Sequence, residues 1–145
     1  MKKILRGVAA VFLSIVAISS FCVVGYAVDY STCKAVDNTV SPMYIAISQA
    51  HNNLTIDTSG NAKCQGSTKV KSGYNAEVIV ELQQYNNGWT TIKTWSSSDG
   101  YYSVVDSNKS ISKGYSYRVK TTHRSYNSSW TQIESVEKYT GTVYY

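Results

Sequence analysis

Residues 76–88 read AEVIVELQQYNNG, and this stretch decides the fold. Its apolar residues Val78, Val80 and Leu82 alternate with other side chains, which is the period-two pattern of a half-buried strand. The Asn-Asn-Gly that follows tolerates positive φ and predicts a tight hairpin turn. We therefore expect Trp89–Ser96 to be the partner strand.

The same alternation continues on both sides of this hairpin. We expect strands at Met43–Ser48, Leu54–Asp57, Ala62–Val70, Ala76–Tyr85, Trp89–Ser96, Tyr101–Asp106, Tyr115–Arg124 and Thr131–Tyr145, the last being one long strand or two short ones split near Gly141. Seven or eight strands spaced by about ten residues predict an all-β fold, either an antiparallel β-sandwich of two facing sheets or a small barrel. Its interior would hold the inward rows of these strands, including Tyr117, Val119 and Thr121.

The N-terminus has the three parts of a helical signal peptide. Lys2, Lys3 and Arg6 are followed by a largely apolar run and then by Gly25-Tyr26-Ala27, a small-x-small cleavage pattern. We expect cleavage after Ala27, with an uncleaved membrane anchor as the alternative. The chain then divides into a signal peptide (1–27), a linker (28–41) and a β-sandwich domain (42–145).

Charge gives little support for nucleic acid or membrane partners. The signal peptide holds three of the 14 Lys and Arg residues, so its removal lowers the net charge from +5 to +2. We expect a secreted, extracellular protein that binds no nucleic acid and meets a membrane only through an uncleaved signal. Association with the cell wall is an alternative to free secretion.

Two cysteines, Cys33 and Cys64, remain after the signal peptide. An even number in an oxidising compartment predicts a disulfide between them. The alternative is two free thiols, with Cys64 buried as a small apolar side chain.

Residues for chemistry are sparse. His51 lies in a turn-like stretch and His123 continues the inward row of Tyr117, and neither has the neighbouring ligands of a metal site. Glu77 and Glu81 share the solvent face of a strand, roughly 13 Å apart, which is too far for paired-carboxylate hydrolysis. The aspartates Asp57, Asp99 and Asp106 are interpreted as turn residues. We expect no enzyme, no metal and no cofactor.

The aromatic residues are the most informative candidates for binding. The candidate surface comprises Trp89, Trp95, Tyr101, Tyr102 and Trp130. If Ile92 faces inward, Trp89 and Trp95 flank Lys93 on the outer face; if the tryptophans face inward, Lys93 points at the core unless a bulge intervenes. We favour the first arrangement. The alternative role for these rings is to cover sheet edges.

The outward row Arg118, Lys120 and Arg124 has two interpretations. It is either an anion-binding patch or a solvated face that pairs across strands with Glu77 and Glu81.

One segment resembles a known corner motif. Residues 111–119 read ISKGYSYRV, and they resemble the E–F corner of fibronectin type III domains. The resemblance implies an antiparallel sandwich of the immunoglobulin or fibronectin type III kind. It also implies that Tyr117 is the corner tyrosine, whose hydroxyl bonds back to the backbone. Lys113 replaces the usual proline. Because folds do not carry function, the motif supports topology alone.

A wider resemblance rests on five further segments. They are PMYIAI (42–47), GNAKC (60–64), WTTIKTW (89–95), GYSYR (114–118) and the tyrosine-rich end. This pattern resembles a family of small secreted proteins from clostridia-like Firmicutes, a domain of unknown function. The resemblance implies a secreted β domain of a Gram-positive bacterium and supplies no site residues.

We expect a non-catalytic binding or adhesion module for cell-wall polysaccharide or a surface protein. The alternatives are a self-associating structural protein and a secreted, bacteriocin-like toxin.

Overall fold

The computed structural model describes residues 32–35 and 44–145. The expected signal peptide lies outside these residues. The described chain forms strands and no helix: β1 (Thr32–Ala35), β2 (Ile47–Asp57), β3 (Asn61–Val70), β4 (Asn75–Tyr85), β5 (Trp89–Asp99), β6 (Tyr102–Ser110), β7 (Ser116–Tyr126), β8 (Gln132–Tyr139) and β9 (Val143–Tyr144). The predicted all-β class is therefore confirmed, with nine strands instead of seven or eight.

The strands form two antiparallel sheets. The four-stranded sheet has the order β1-β2-β3-β6, and the five-stranded sheet has the order β5-β4-β7-β8, with β9 also paired to β7. The chain crosses between the sheets three times, from β3 to β4, from β5 to β6 and from β6 to β7, as in an immunoglobulin-like sandwich. Each layer therefore has one inner face toward the core and one outer face toward water.

Two differences from the expected strands concern the N-terminal part of the domain. Of the strand expected at Met43–Ser48 only Ile47 and Ser48 are in a strand, and they continue through a polar stretch into the expected Leu54–Asp57 as one strand, β2, which pairs with β3. Residues 32–35, assigned to the linker, form β1 on the edge of β2. Backbone pairing needs no alternating pattern, so a four-residue strand leaves no signal in the sequence. The C-terminal segment splits around Gly141 as expected.

The core consists of the inner faces that alternation predicts. Its largest members are Tyr117, Leu54, Leu82, Val78, Val80 and Val119, all fully buried. The sheets approach closely at Gly66, where an added Cβ would lie 2.6 Å from Val80 Cγ2 and 3.1 Å from Val78 Cγ2. A glycine is required at this point because a side chain would collide with the facing sheet.

The turn into β7 has the geometry implied by the fibronectin resemblance. The Tyr117 hydroxyl donates a 2.7 Å hydrogen bond to the Ser112 carbonyl, and the side chain is fully buried. Gly114 supplies a positive φ of 87° between them. This bond ties the loop between the two sheets to the core.

A carboxylate of β8 holds the beginning of β2. Glu134 accepts hydrogen bonds from the backbone N–H groups of Ile45, Ala46 and Ile47, the last two at 2.9 Å. Further along, Lys138 Nζ donates to the Ala50 carbonyl at 2.8 Å. Because β1 pairs only with residues 54–57 of β2, these side chains bond the part of the edge that β1 leaves open.

Candidate functional site

Four of the five candidate aromatic residues lie at two opposite ends of the sandwich, and Trp95 lies in the middle of β5, opposite Val80. Trp89 pairs with Tyr85 at the β4–β5 hairpin. Tyr101, Tyr102 and Trp130 lie in or next to turns at the other end, where β4 begins. The eleven residues of β4 separate the two groups by roughly 33 Å at the ordinary strand rise. The five residues therefore do not form one continuous surface.

A bulge in β5 decides which way its tryptophans point. Leu82 pairs with Lys93 and Gln83 pairs with Thr91, so Ile92 is an extra residue in the ladder. A one-residue shift reverses the faces of a strand. Ile92 and Trp95 therefore both pack against the core. The arrangement that we favoured is right for Ile92 and wrong for Trp95.

Trp89 lies beyond the bulge and shares the outer face with Tyr85. Their ring centroids are 5.4 Å apart in an edge-on arrangement. At the other end, Trp130 is 55% exposed and rests against Tyr126, with ring centroids also 5.4 Å apart. Trp89 and Trp130 are thus the tryptophans available to partners, whereas Trp95 is partly structural.

A concavity lies on the outer face of the four-stranded sheet. It has a volume of about 480 Å³ and is lined by outward residues of β2, β3 and β6, with Asn52, Gly66 and Val105 between them. Its walls are His51, Asn53, Gln65, Ser67, Tyr102, Val104 and Asp106, and we call it the Tyr102 groove. This volume is within the range of about 300–1,000 Å³ that is typical of ligand sites.

Hydrogen bonds fix the polar wall of the Tyr102 groove. Asn53 Nδ2 donates to Gln65 Oε1 at 3.0 Å, and Gln65 Nε2 donates to Asp106 Oδ2 at 3.0 Å. Lys63 Nζ lies 3.3 Å from the same carboxylate oxygen. These bonds orient both amides, and each residue of the row keeps donor or acceptor capacity for a ligand.

The aromatic wall of the groove comes from the start of β6. Tyr102 and Val104 are each 46% exposed and alternate with the buried Ser103 and Val105. Tyr102 was a candidate from sequence, and the structure places it in the groove. Tyr101, its neighbour, is 64% exposed and does not line the groove.

Most residues of the groove have no signal in the sequence that marks them as a site. The sequence predicts a turn at His51 and at Asp106, yet both residues lie within strands, β2 and β6. The groove needs the β2–β3 hairpin beside β6, which is distant in sequence, with Asn53 opposite Gln65 and Gln65 opposite Asp106. The only signal available was the outward alternation of Lys63, Gln65 and Ser67, which does not reveal the neighbours.

Ion pairs cover much of the outer face of the five-stranded sheet. Lys120 Nζ lies 2.7 Å from Glu137 Oε1 and 3.7 Å from Glu81 Oε2. The hydrogen bond between Lys120 and Glu137 raises the pKa of Lys120 and lowers the pKa of Glu137. Arg124 Nη1 lies 3.1 Å from Glu77 Oε2. Two of the three cations in the outward row therefore pair across strands.

His123 is a core residue rather than a reactive one. It is fully buried, with Nδ1 2.8 Å from Thr68 Oγ1 and Nε2 2.9 Å from Thr121 Oγ1. The Thr68 hydroxyl also donates to the Glu77 carbonyl at 2.9 Å. The inward position predicted for His123 is confirmed, and its contacts join the two sheets.

Cys64 is a free, fully buried thiol, and burial raises its pKa to about 12. Such a thiol is a poor nucleophile because its thiolate is scarce. The backbone register does not fit the expected disulfide: Cys33 lies opposite Ile56, whose partner on β3 is Ala62, two residues along that strand from Cys64. Standard strand spacing gives on the order of 12 Å between their Cα atoms, against about 4.4–6.8 Å in disulfides.

Among residues 32–35 and 44–145, no three His, Cys, Asp or Glu side chains come together as a candidate metal centre. The same residues contain no helix that could span a membrane. Comparison of the chain with protein-family models, curated proteins and solved structures found no match.

Proposed function

We propose that the chain is a secreted, non-catalytic β-sandwich module that binds a cell-wall polysaccharide in the Tyr102 groove. Export is supported by the signal-peptide pattern of residues 1–27. The absence of a recognisable reactive motif in the sequence supports binding over catalysis. A Gram-positive source is supported by the resemblance to secreted clostridial proteins.

The observation that carries this proposal is the pairing of a half-exposed aromatic ring with an ordered polar row on a rigid sheet. Tyr102 offers an apolar face, and the row of Asn53, Gln65 and Asp106 runs across the neighbouring strands. Aromatic anchors contribute contact area at low entropic cost because they have few rotatable bonds.

This combination suits a sugar chain because a sugar ring has two kinds of surface. Its C–H groups form an apolar face that can stack on Tyr102. Its hydroxyl groups both donate and accept, and the amides and carboxylate of the row do the same between them. The hydrogen bonds within the row hold these groups in place before binding, which reduces the entropic cost of association.

The direct test compares Tyr102→Ala with Tyr101→Ala. Both substitutions remove an exposed tyrosine, but only Tyr102 lines the groove. Purified peptidoglycan and a soluble neutral β-glucan serve as probes, measured by pull-down and by titration calorimetry. We expect Tyr102→Ala to weaken binding at least tenfold and Tyr101→Ala to change it less than twofold.

A second pair of variants tests the polar wall. Gln65→Ala removes the middle of the hydrogen-bonded row, whereas Asn108→Ala changes a residue of β6 outside the groove. Full glycan binding by both Tyr102→Ala and Gln65→Ala would refute the groove as the binding site. Absence of glycan binding together with a concentration-dependent increase in mass by analytical ultracentrifugation would favour the self-associating alternative.

A further inference from the structure

A second feature lies on the opposite sheet, where Arg118 is held between aromatic side chains. Its Cζ atom lies 4.1 Å from the ring centroid of Trp89 and 4.5 Å from that of Tyr139. Its Nε donates to Gln83 Oε1 at 2.8 Å. The guanidinium is therefore fixed in one orientation by two rings and one hydrogen bond.

A chain of hydrogen bonds fixes the amide that holds Arg118. Gln83 Nε2 donates to Thr91 Oγ1 at 3.3 Å, and the Thr91 hydroxyl donates to Glu81 Oε1 at 3.1 Å. Because the Gln83 NH₂ group donates to Thr91, the carbonyl oxygen of the same amide points toward Arg118. Gln83 is only 9% exposed, so the arrangement is built into the sheet.

Arg118 differs from the other two cations of its row. Lys120 pairs with Glu81 and Glu137, and Arg124 pairs with Glu77. Within the described residues, Arg118 has no carboxylate within ion-pair distance, and its Nη groups have no hydrogen-bond partner. A positive charge with free donors is thus held in place on an exposed face.

We propose that Arg118, Trp89 and Tyr139 form a binding site for the oxyanion of an acidic sugar, which we call the Arg118 site. A guanidinium recognises carboxylate and phosphate through paired N–H donors. The rings beside it, with Tyr85 next to Trp89, offer a surface on which the sugar ring can stack. Tyr85 and Tyr139 are about half exposed, so this surface is open to a ligand.

The Arg118 site is independent of the Tyr102 groove because the two lie on the outer faces of different sheets. The groove offers an aromatic wall with a neutral and acidic polar row. The Arg118 site offers an unneutralised cation. A glycan with both neutral and acidic units could therefore be bound at two places on one domain.

The test uses a galacturonic acid tetrasaccharide, its fully methyl-esterified form and glucose 6-phosphate with glucose as its control. Binding to the full mature domain is measured by calorimetry and by the NMR shifts of the tryptophan indole N–H groups. We expect the acidic tetrasaccharide to bind at least tenfold more tightly than the ester, and to shift the Trp89 signal rather than that of Trp130. A preference for glucose 6-phosphate over glucose would support the site and assign phosphate as the preferred oxyanion.

The matched variants are Arg118→Gln and Arg124→Gln, which remove the same charge from the same face of β7. We expect Arg118→Gln to lower the affinity at least tenfold and Arg124→Gln to change it less than twofold. Arg118→Lys keeps the charge but loses the planar stacking, so we expect an intermediate loss. Thermal unfolding confirms that each variant is folded.

Three results would overturn the proposal. The first is equal binding of the acid and its ester. The second is an equal loss in Arg118→Gln and Arg124→Gln, which would show general attraction to positive charge. The third is loss of acidic-sugar binding in Tyr102→Ala with Arg118→Gln unaffected, which would assign the acidic sugar to the Tyr102 groove.

Discussion

Replacement of Glu134 by glutamine tests how β2 is held to the opposite sheet. The carboxylate accepts three backbone N–H groups, from Ile45, Ala46 and Ile47. Glutamine keeps one carbonyl oxygen, which can serve Ala46 and Ile47, but it turns an NH₂ group toward the N–H of Ile45. One charge-assisted hydrogen bond is lost and two donors face each other.

The expected loss in the free energy of unfolding follows from the contribution of hydrogen bonds to charged groups. A hydrogen bond to a charged group contributes about 1.5–3 kcal/mol. Glu134 is half-buried, so water can partly replace the lost partner, and we expect the free energy of unfolding to fall by about 2 kcal/mol. For a domain of this size the melting temperature would fall by on the order of 8 °C.

The pH dependence identifies the carboxylate as the cause. Desolvation by burial would raise the pKa of Glu134, but the N–H groups of Ile47, Ala46 and Ile45, with nearby Lys71, outweigh it and lower the pKa below its ordinary value. The stabilisation is therefore fully present above the unfolded pKa of about 4.3 and is lost as pH falls through the lower folded pKa. The difference between wild type and Glu134→Gln should be constant from neutral pH to about pH 5 and should shrink toward zero in stronger acid.

Urea unfolding followed by tryptophan fluorescence at neutral and acidic pH measures this difference. Glu137→Gln is the matched control, since it makes the same change on β8 at an exposed carboxylate that bonds side chains and no backbone N–H. We expect a smaller loss for the control. Equal losses in the two variants, or a Glu134→Gln cost that persists unchanged below the folded pKa, would refute the reasoning.

Two further substitutions test the core and the corner. Gly66→Ala places a Cβ 2.6 Å from Val80 Cγ2, and we expect overpacking to lower the free energy of unfolding by about 1–3 kcal/mol in urea titrations; an unchanged stability would show that the sheets can separate at no cost. Tyr117→Phe removes the 2.7 Å bond to the Ser112 carbonyl without changing the ring. We expect a loss of about 1 kcal/mol, measured in the same way, and no loss would mean that the corner bond is not stabilising.

Alternation was sufficient to predict the interior from sequence. Val78, Val80 and Leu82 in β4 and Val119 in β7 are all fully buried, as their spacing indicates. The reason is that a strand has a side-chain period of two, so one buried residue fixes the face of its neighbours. The hairpin between β4 and β5 was equally local, and Asn87 there has the positive φ that its sequence allows, 54°.

The local sequence pattern did not predict strand geometry where a strand departs from strict alternation. Without the bulge at Ile92, Trp89 and Trp95 would lie on the same face of β5. With the bulge, Trp95 packs against the core and Trp89 lies on the outer face. β2 runs through Gln49–Asn53, a stretch with few strand-forming residues, because β3 pairs with it. In both cases the neighbouring strand, rather than the local residues, determines the geometry.

Alternation along the chain is enough to predict stacked antiparallel strands and the side chains between them, because burial of one row of side chains per strand is a local property. The two candidate sites become visible only once the strands are paired. The Tyr102 groove needs β2, β3 and β6 side by side, and the free charge of Arg118 depends on which carboxylates its neighbours Lys120 and Arg124 contact. Strand order and register set those contacts, and they arise from pairings between residues far apart in the chain.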